Sequence, residues 1–316
     1  MRITIIGGTG HIGSFLIPRL VDLGHSVTCV SRGIQEPYRK HSAWRKIEWA
    51  EIDRTAEEEA GRFGELIARL DPNVVIDLTC YSVGSAEQIV AALRGRVDQL
   101  LHCGTIWVHG PSVEVPTTET SPRAAFGAYG ERKAAIEAYL LRENRSSRLP
   151  VTILHPGHLV GPGWAPVSPT GNFNTETFSM LMQGRTVQLP NIGMETLHHV
   201  HADDVAQCFV RSVERRNLTL GESFHVTSPA AITLRGYAER MGTWFGRSAQ
   251  IEYQPWEMWR RGVSEKDANV TWDHIAHSPN CSIVKARNLL GYKPRYTSLE
   301  AIRESVEFLV DRGIVR

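Results

Sequence analysis

"RITII" at residues 2–6 runs directly into "GGTGHIG" at 7–13, and "IGSFLIPRLVDLG" carries on to residue 24. The first is a short β-branched run of the kind that forms a buried strand. The last is an apolar, amphipathic helix pattern that closes on a glycine. Between them stand glycines 7, 8, 10 and 13, residues of maximal backbone freedom where a strand turns into a helix. In a doubly wound α/β fold that turn touches the pyrophosphate of a dinucleotide. Its glycines permit the tight turn, let the backbone approach the phosphates and allow close helix–strand packing, while the helix N-terminus offers free N–H groups. Gly8, Gly10 and Gly13 satisfy G-x-G-x-x-G, and Gly7, Gly10 and Gly13 satisfy the G-x-x-G-x-x-G variant. The strand before and the helix after supply the context such a match requires. Gly7, Gly10, His11, Ile12 and Gly13 are therefore the first candidate cofactor-binding residues.

The rest of the first half repeats the alternation. "HSVTCVSR", "KIEWAEID", "NVVIDLTC", "QLLHCGTIWV" and "PVTILHPG" read as strands, separated by helical segments such as "AEQIVAALRG" and "AYGERKAAIEAYLLREN". Strands this uniformly apolar have no wet face, so a parallel sheet covered by helices on both sides is expected. The fold class is α/β: a doubly wound parallel sheet (Rossmann) with a smaller C-terminal α/β substrate domain. Residues 1–161 plus 196–224 are assigned to the dinucleotide-binding domain and 162–195 plus 225–316 to the substrate domain. "LHHVHADDVAQCFVRSVE" (197–214) is expected to return to the main sheet, and tryptophans 244, 256, 259 and 272 to form core or pocket rim.

Composition narrows the function. At 316 residues, 22% charged and formally +1, the chain gives no electrostatic case for nucleic acid or an anionic membrane. No apolar run approaches the roughly 20 residues of a spanning helix. Five scattered cysteines without C-x-x-C spacing, and an N-terminus with no leader pattern, lead to the expectation of a cytoplasmic protein. An acid at the end of the second strand would bind the ribose 2′-hydroxyl of NAD; Ser31 and Arg32 stand there instead. Arginine suits a 2′-phosphate by charge and by fork geometry, which favours NADP over NAD.

"YGERK" places Tyr129 and Lys133 four apart on one face of the long helix. A tyrosine with a pKa near 10 is a poor proton-transfer group at neutral pH, and a neighbouring ammonium is expected to lower that pKa. Thr105 lies at the C-terminal end of a buried strand, where doubly wound folds place their ligands.

Gly7/Gly10/Gly13, Thr105 and Tyr129-x-x-x-Lys133 together resemble the extended short-chain dehydrogenase/reductase family, the group of NAD(P)-dependent sugar epimerases and dehydratases. "LHCGTIWVHG", "LHPGHLVGPG", "HHVHADDVAQ" and "KARNLLGYKP" carry the likeness along nearly the whole chain. The resemblance implies hydride transfer at a secondary alcohol or ketone of a sugar or sugar-like substrate. Tyr129 would be the general acid/base, Lys133 would hold the nicotinamide ribose and tune the tyrosine, and Thr105 would share the substrate oxygen. It implies cofactor contacts for Ser31, Arg32, Asp53, Leu78, Thr79, His155 and Gly157, and substrate contacts for Cys80, Trp107, His158 and Asn172. It also implies a homodimer through the helix bearing Tyr129; the apolar stripe of "AAIEAYLL" would serve that contact or face the sheet.

Departures from the pattern bear on the substrate. Ile106 and Trp107 follow Thr105, where sugar 4,6-dehydratases carry an Asp–Glu pair, so dehydration of that type is disfavoured. His158 replaces the Asn that grips a sugar nucleotide. Arg260 and Arg261 lie far upstream of the place where epimerases clamp the diphosphate. A smaller sugar, polyol or ketone needs no such clamp. Histidines 198, 199 and 201 sit on a strand with no matching carboxylate or Cys, so core and hydrogen-bonding roles are expected in place of metal ligation. The alternatives are a one-way NADPH-dependent reductase of a small carbonyl compound and a non-catalytic dinucleotide-binding scaffold or RNA-associated relative. The intact Thr–Tyr–Lys set argues against the scaffold.

Overall fold

In the computed structural model, which describes residues 1–146 and 149–316, the isoleucine run becomes β1 (Arg2–Ile6), with Ile3, Ile5 and Ile6 buried. It pairs with β2 (Ser26–Ser31), followed outward by β3 (Glu48–Glu51). On its other side stand β4 (Val74–Asp77), β5 (Gln99–Cys103) and β6 (Val151–Pro156). Next in the chain come β7 (His158–Val160), β8 (Val187–Pro190), β9 (Thr196–Leu197) and β10 (His199–His201), all outside this sheet. β11 (Ser223–Val226) returns beside β6, giving the parallel order β11-β6-β5-β4-β1-β2-β3. Every residue of β4, β5 and β6 is buried, as a sheet covered on both faces requires.

Helices cover both faces. α1 (His11–Asp22) lies on one. α2 (Arg54–Glu59), α3 (Phe63–Arg69), α4 (Val83–Leu93) and α5 (Gly127–Arg145) follow β3, β4 and β5, and the last three pack on the other face. Ile136 and Leu140 of α5 are buried in this second cluster, so the stripe within "AAIEAYLL" faces the sheet. α6 (Glu176–Gln183) belongs to the smaller unit, and α7 (Ala202–Glu214) packs beside α1, held there by a two-pronged Arg19–Asp203 pair with both N···O distances 2.8 Å. Of the 197–214 segment, this helix and Val200 pack into the main body. Its strand, expected in the main sheet, pairs with β7 instead, His199 beside His158. Gly157 is the reason: at the end of β6 the chain leaves the sheet, and the partner strand follows it.

The smaller unit has its own core, built from Phe178 and Leu181 of α6, Val187 and Leu189 of β8, and further helices. These are α8 (Leu234–Trp244), the short α9 (Trp256–Trp259), α10 (Glu265–His277) and α11 (Ser298–Asp311). Ile283, Ala286, Leu290 and Tyr292, between α10 and α11, turn back to the cluster beside α1 and α7. Among the described residues no helix is long and apolar enough to cross a membrane.

Candidate active site

The β ladders bring the carboxyl ends of β1, β2 and β4 level, with Ile6 beside both Val30 and Asp77. The glycine turn, Ser31–Arg32 and Thr79 therefore meet at one edge of the sheet. Gly7 has φ +81°, and its missing side chain leaves room for the Thr79 methyl. A Cβ on Gly13 would overlap the Gly8 carbonyl, which is the close helix–strand approach this turn depends on. No side chain caps α1 and no acid lies in its first turn, so the positive end of the helix stays open to an anion.

Above this turn opens a 630 Å³ cleft lined by Gly7, Gly10, Ser31, Arg32, Asp53 and Thr79. The Asp53 carboxylate is partly committed already: it accepts the Thr55 and Ala56 N–H groups at 2.9 and 3.3 Å and so caps α2. Leu78 does not line the cleft. It is buried in the core, and its N–H ties the end of β4 to the Ile6 carbonyl at 3.1 Å. Ile12 is likewise core. The His11 ring stacks on Trp164, centroids 5.3 Å apart, and burial pushes its pKa down to about 3. Sequence reasoning missed Arg54. It lines the cleft, donates to Asp77 at 2.7 Å and Glu58 at 2.6 Å, and leaves Nη2 buried without a partner. The only signal for it was an arginine directly after Asp53.

A second cavity, 270 Å³, is lined by Thr105, Trp107, Tyr129, Gly157 and His158, joined by Trp164, Phe173 and His274. Thr105 ends the segment after β5; its hydroxyl accepts the Trp107 N–H at 3.3 Å and starts the short 3-10 turn Ile106–His109. Burial of its hydroxyl end pushes the Tyr129 phenol up, and the neighbouring Thr105 hydroxyl opposes that rise. Lys133 is buried one turn further along α5. Its ammonium donates to the Cys80 and Cys103 carbonyls, both at 2.8 Å, bridging the ends of β4 and β5 beside the Tyr81 ring. The expected depression of the Tyr129 pKa is therefore not what this arrangement produces: the ammonium is turned to backbone carbonyls, and burial dominates the phenol. Burial also lowers the pKa of Lys133 itself.

Three of the expected pocket residues stand elsewhere. His155 lies behind Thr105, donating Nδ1–H to its carbonyl at 2.6 Å, with Nε2 3.3 Å from the Glu137 carboxylate. Burial raises the Glu137 pKa, but His155 and the paired Arg123 outweigh it and hold the group well below the carboxylate range. Cys80 contributes only its carbonyl, and burial pushes its thiol up to about 12. Asn172 lies outside this pocket, in a neighbouring 630 Å³ cavity of the smaller unit, where it donates to the Thr271 hydroxyl at 3.0 Å. Trp259 lines that cavity as well. His198 and His201 make hydrogen bonds within the fold, to Ser228 and Cys281 and to Asp203 and Glu304. The pocket residues that sequence reasoning did not single out, Trp164, Phe173 and His274, come from the loop after β7 and from α10, brought in by the tertiary fold alone.

The fold and the glycine-lined cleft define an NAD(P)-binding protein of the doubly wound class. The chain belongs to the NAD dependent epimerase/dehydratase family, whose model matches residues 3–226, and it is an NAD(P)-dependent enzyme of that type. It is 26% identical to a UDP-glucose 4-epimerase of Mycolicibacterium smegmatis, over 99% of this chain and 100% of that protein. It is 24% identical to the chloroplast stem-loop binding protein of 41 kDa b of Arabidopsis thaliana, over 100% of this chain and 81% of that one. Among solved structures, a Thermotoga maritima UDP-glucose 4-epimerase with UDP-glucose superposes with a TM-score of 0.74 at 20% identity, covering 99% of both chains.

Proposed function

We propose that this enzyme moves hydride between a nicotinamide cofactor and the secondary alcohol or ketone carbon of a small sugar-like substrate, with Tyr129 as the proton donor and acceptor. The observation that carries this reading is that Thr105 and Tyr129 line one small cavity at the same sheet edge as the glycine cleft. The residues fit a dinucleotide: α1 is uncapped, Gly13 leaves no room for a side chain, and the Arg54 Nη2 in the cleft lacks a partner. The turn at 7–13 and the α1 N-terminus hold the diphosphate, and Arg32 favours NADP by taking the 2′-phosphate. Lys133, with two of its three N–H groups given to the Cys80 and Cys103 carbonyls, would have one left for the nicotinamide ribose. When bound, the nicotinamide supplies or accepts the hydride.

Tyr129, protonated at neutral pH as a phenol is, donates to the carbonyl oxygen as a ketone is reduced, while Thr105 orients that oxygen. In the opposite direction the phenol oxygen takes the proton back. Ile106 and Trp107 offer no acid–base pair for eliminating water, which supports oxidoreduction or epimerisation over dehydration. The five cysteines, all buried and unpaired, support a reducing cytoplasm, and the outward faces of α4 and α5 are the surface proposed for a homodimer. Tyr129→Phe removes only the proton-transfer group, so turnover falls by roughly 10²–10⁴-fold while the NADP dissociation constant stays within about twofold. Normal turnover in that variant overturns the proposal.

A further inference from the structure

We infer that His277, at the end of α10 in the smaller unit, is a positioning residue: it sets the placement of Thr105 and Tyr129 by holding the rings of Trp107 and Phe126 against its two faces. This rests on the roles given to Thr105 and Tyr129 in the proposed function. The His277 side chain is buried. The Trp107 ring lies on it with centroids 4.1 Å and planes 13° apart, and the Phe126 ring with centroids 4.0 Å and planes 20° apart. Two rings that near and that close to parallel cannot share one face, so the three form a sandwich with His277 in the middle. Its Nδ1–H donates to the Asp273 carbonyl one turn back at 2.6 Å, which fixes the rotation of the ring, and Nε2 has no partner among the described residues. What the imidazole offers its neighbours is its two flat faces.

Each outer ring stands one step from a hydroxyl of the site. The Trp107 N–H donates to the Thr105 hydroxyl at 3.3 Å. Phe126 is the N-cap residue of α5, and Tyr129 stands in the first turn of that helix. No side chain caps this helix and Gly127 follows at φ +71°, so its start lacks the local support a capping side chain gives. The two stems also touch. A Cβ on Gly130 would lie 3.2 Å from the Trp107 carbonyl oxygen, one on Gly110 would overlap the Ala124 carbonyl, and the Trp107 and Tyr129 rings meet edge to face at 5.9 Å.

Between the stems the chain makes a long excursion, and it is fastened to the same part of the smaller unit. The Ser112 N–H donates to the His277 carbonyl at 3.1 Å, the Thr117 N–H to the Asn280 carbonyl at 2.7 Å, and the Ser282 N–H to the Thr117 carbonyl at 2.7 Å. These bonds hold the middle of the excursion; the sandwich holds its two ends. α10 also walls the cavity through His274, so one helix both shapes the pocket and carries the ring on which the hydroxyl-bearing stems rest. Ordinary core packing and stacking make different demands here. A leucine fills a similar space, but only a flat ring satisfies two parallel aromatic neighbours at once.

The test is amide hydrogen exchange on the full chain saturated with NADP, comparing His277→Leu and His277→Phe with the unaltered protein. In His277→Leu the amides of residues 106–110 and 129–132 are expected to exchange roughly tenfold faster, while those of β1 and β4 and the NADP dissociation constant stay within about twofold. His277→Phe keeps both stacks and is expected to return the exchange to within about threefold of the unaltered protein. NADPH oxidation with dihydroxyacetone, a small sugar-like ketone, gives the second readout: kcat falls by roughly tenfold in His277→Leu with KM within about threefold, and recovers in His277→Phe. Unchanged exchange in His277→Leu, faster exchange along the whole chain alike, faster exchange at an unchanged kcat, or a Phe variant no better than the Leu variant overturns the inference. The exchange arm is read without turnover, so it is separate from the Tyr129→Phe experiment: an active Tyr129→Phe enzyme with the expected exchange pattern removes the proposed proton transfer and leaves His277 as the support of the two stems.

Discussion

Tyr129 and Lys133 show how far a spacing reaches. Their four-residue separation was legible because a helix puts i and i+4 on one face. What was not legible is that the lysine would turn to the Cys80 and Cys103 carbonyls, which arrive from 53 and 30 residues away on two strand ends. Arg54 was hidden for the same reason, since its partner Asp77 is 23 residues distant and becomes its neighbour only when β4 pairs with β1. The position of Arg32 in the cleft could be read because it follows from a local fact, the end of β2. A guanidinium on a phosphate makes charge-assisted hydrogen bonds of about 1.5–3 kcal/mol, or roughly ten- to a hundredfold in affinity. Arg32→Ala is therefore expected to weaken NADP binding by at least about tenfold and NAD by less than twofold. Equal losses for the two cofactors would remove Arg32 as the 2′-phosphate reader.

At the scale of elements, the first half of the chain was legible in its period: apolar runs of strand length alternate with helical stripes, and β1, β2, β4, β5 and β6 fall within the segments the pattern marked. Partner choice was not. "LHHVH" and "SFHV" are both short apolar runs with histidine, and nothing in either says which joins the main sheet. The decision is made by Gly157, where the chain leaves β6 for β7 and draws β10 away, leaving the edge of β6 to β11. The same divergence builds the smaller cavity beside Tyr129, because it carries His158 out of the sheet and against His274 of α10. The stripe on α5 offered two uses, and the sheet takes Ile136 and Leu140.

The whole molecule is unusual in its buried imidazoles: ten of thirteen histidines are buried. Burial pushes His11 and His199 down to about 3, and His109, His198 and His274 down to about 4. Each folded-state pKa lies below the unfolded value near 6.5, so the unfolded chain binds protons that the folded chain refuses. Stability present above pH 6.5 is lost as pH falls toward 4, at up to about 1.4 kcal/mol per pH unit for each such ring. Asp204 works against this. Burial raises its pKa to about 6, so it adds stability as pH falls from about 6 to 4, as the raised Asp273 does, but the lowered histidines outnumber these two carboxyls. The urea midpoint is accordingly expected to fall steadily from pH 7 to pH 5; a flat or rising midpoint contradicts the assigned neutrality of these rings.

The most direct measurement is a crystal structure of the protein with NADP. Expected is the adenosine end between Gly10 and Arg32, the diphosphate over residues 7–13, and the nicotinamide ring bordering the cavity that Tyr129 and Thr105 share. A nucleotide bound elsewhere, or a nicotinamide separated from Tyr129 by closed protein, would contradict the site described here.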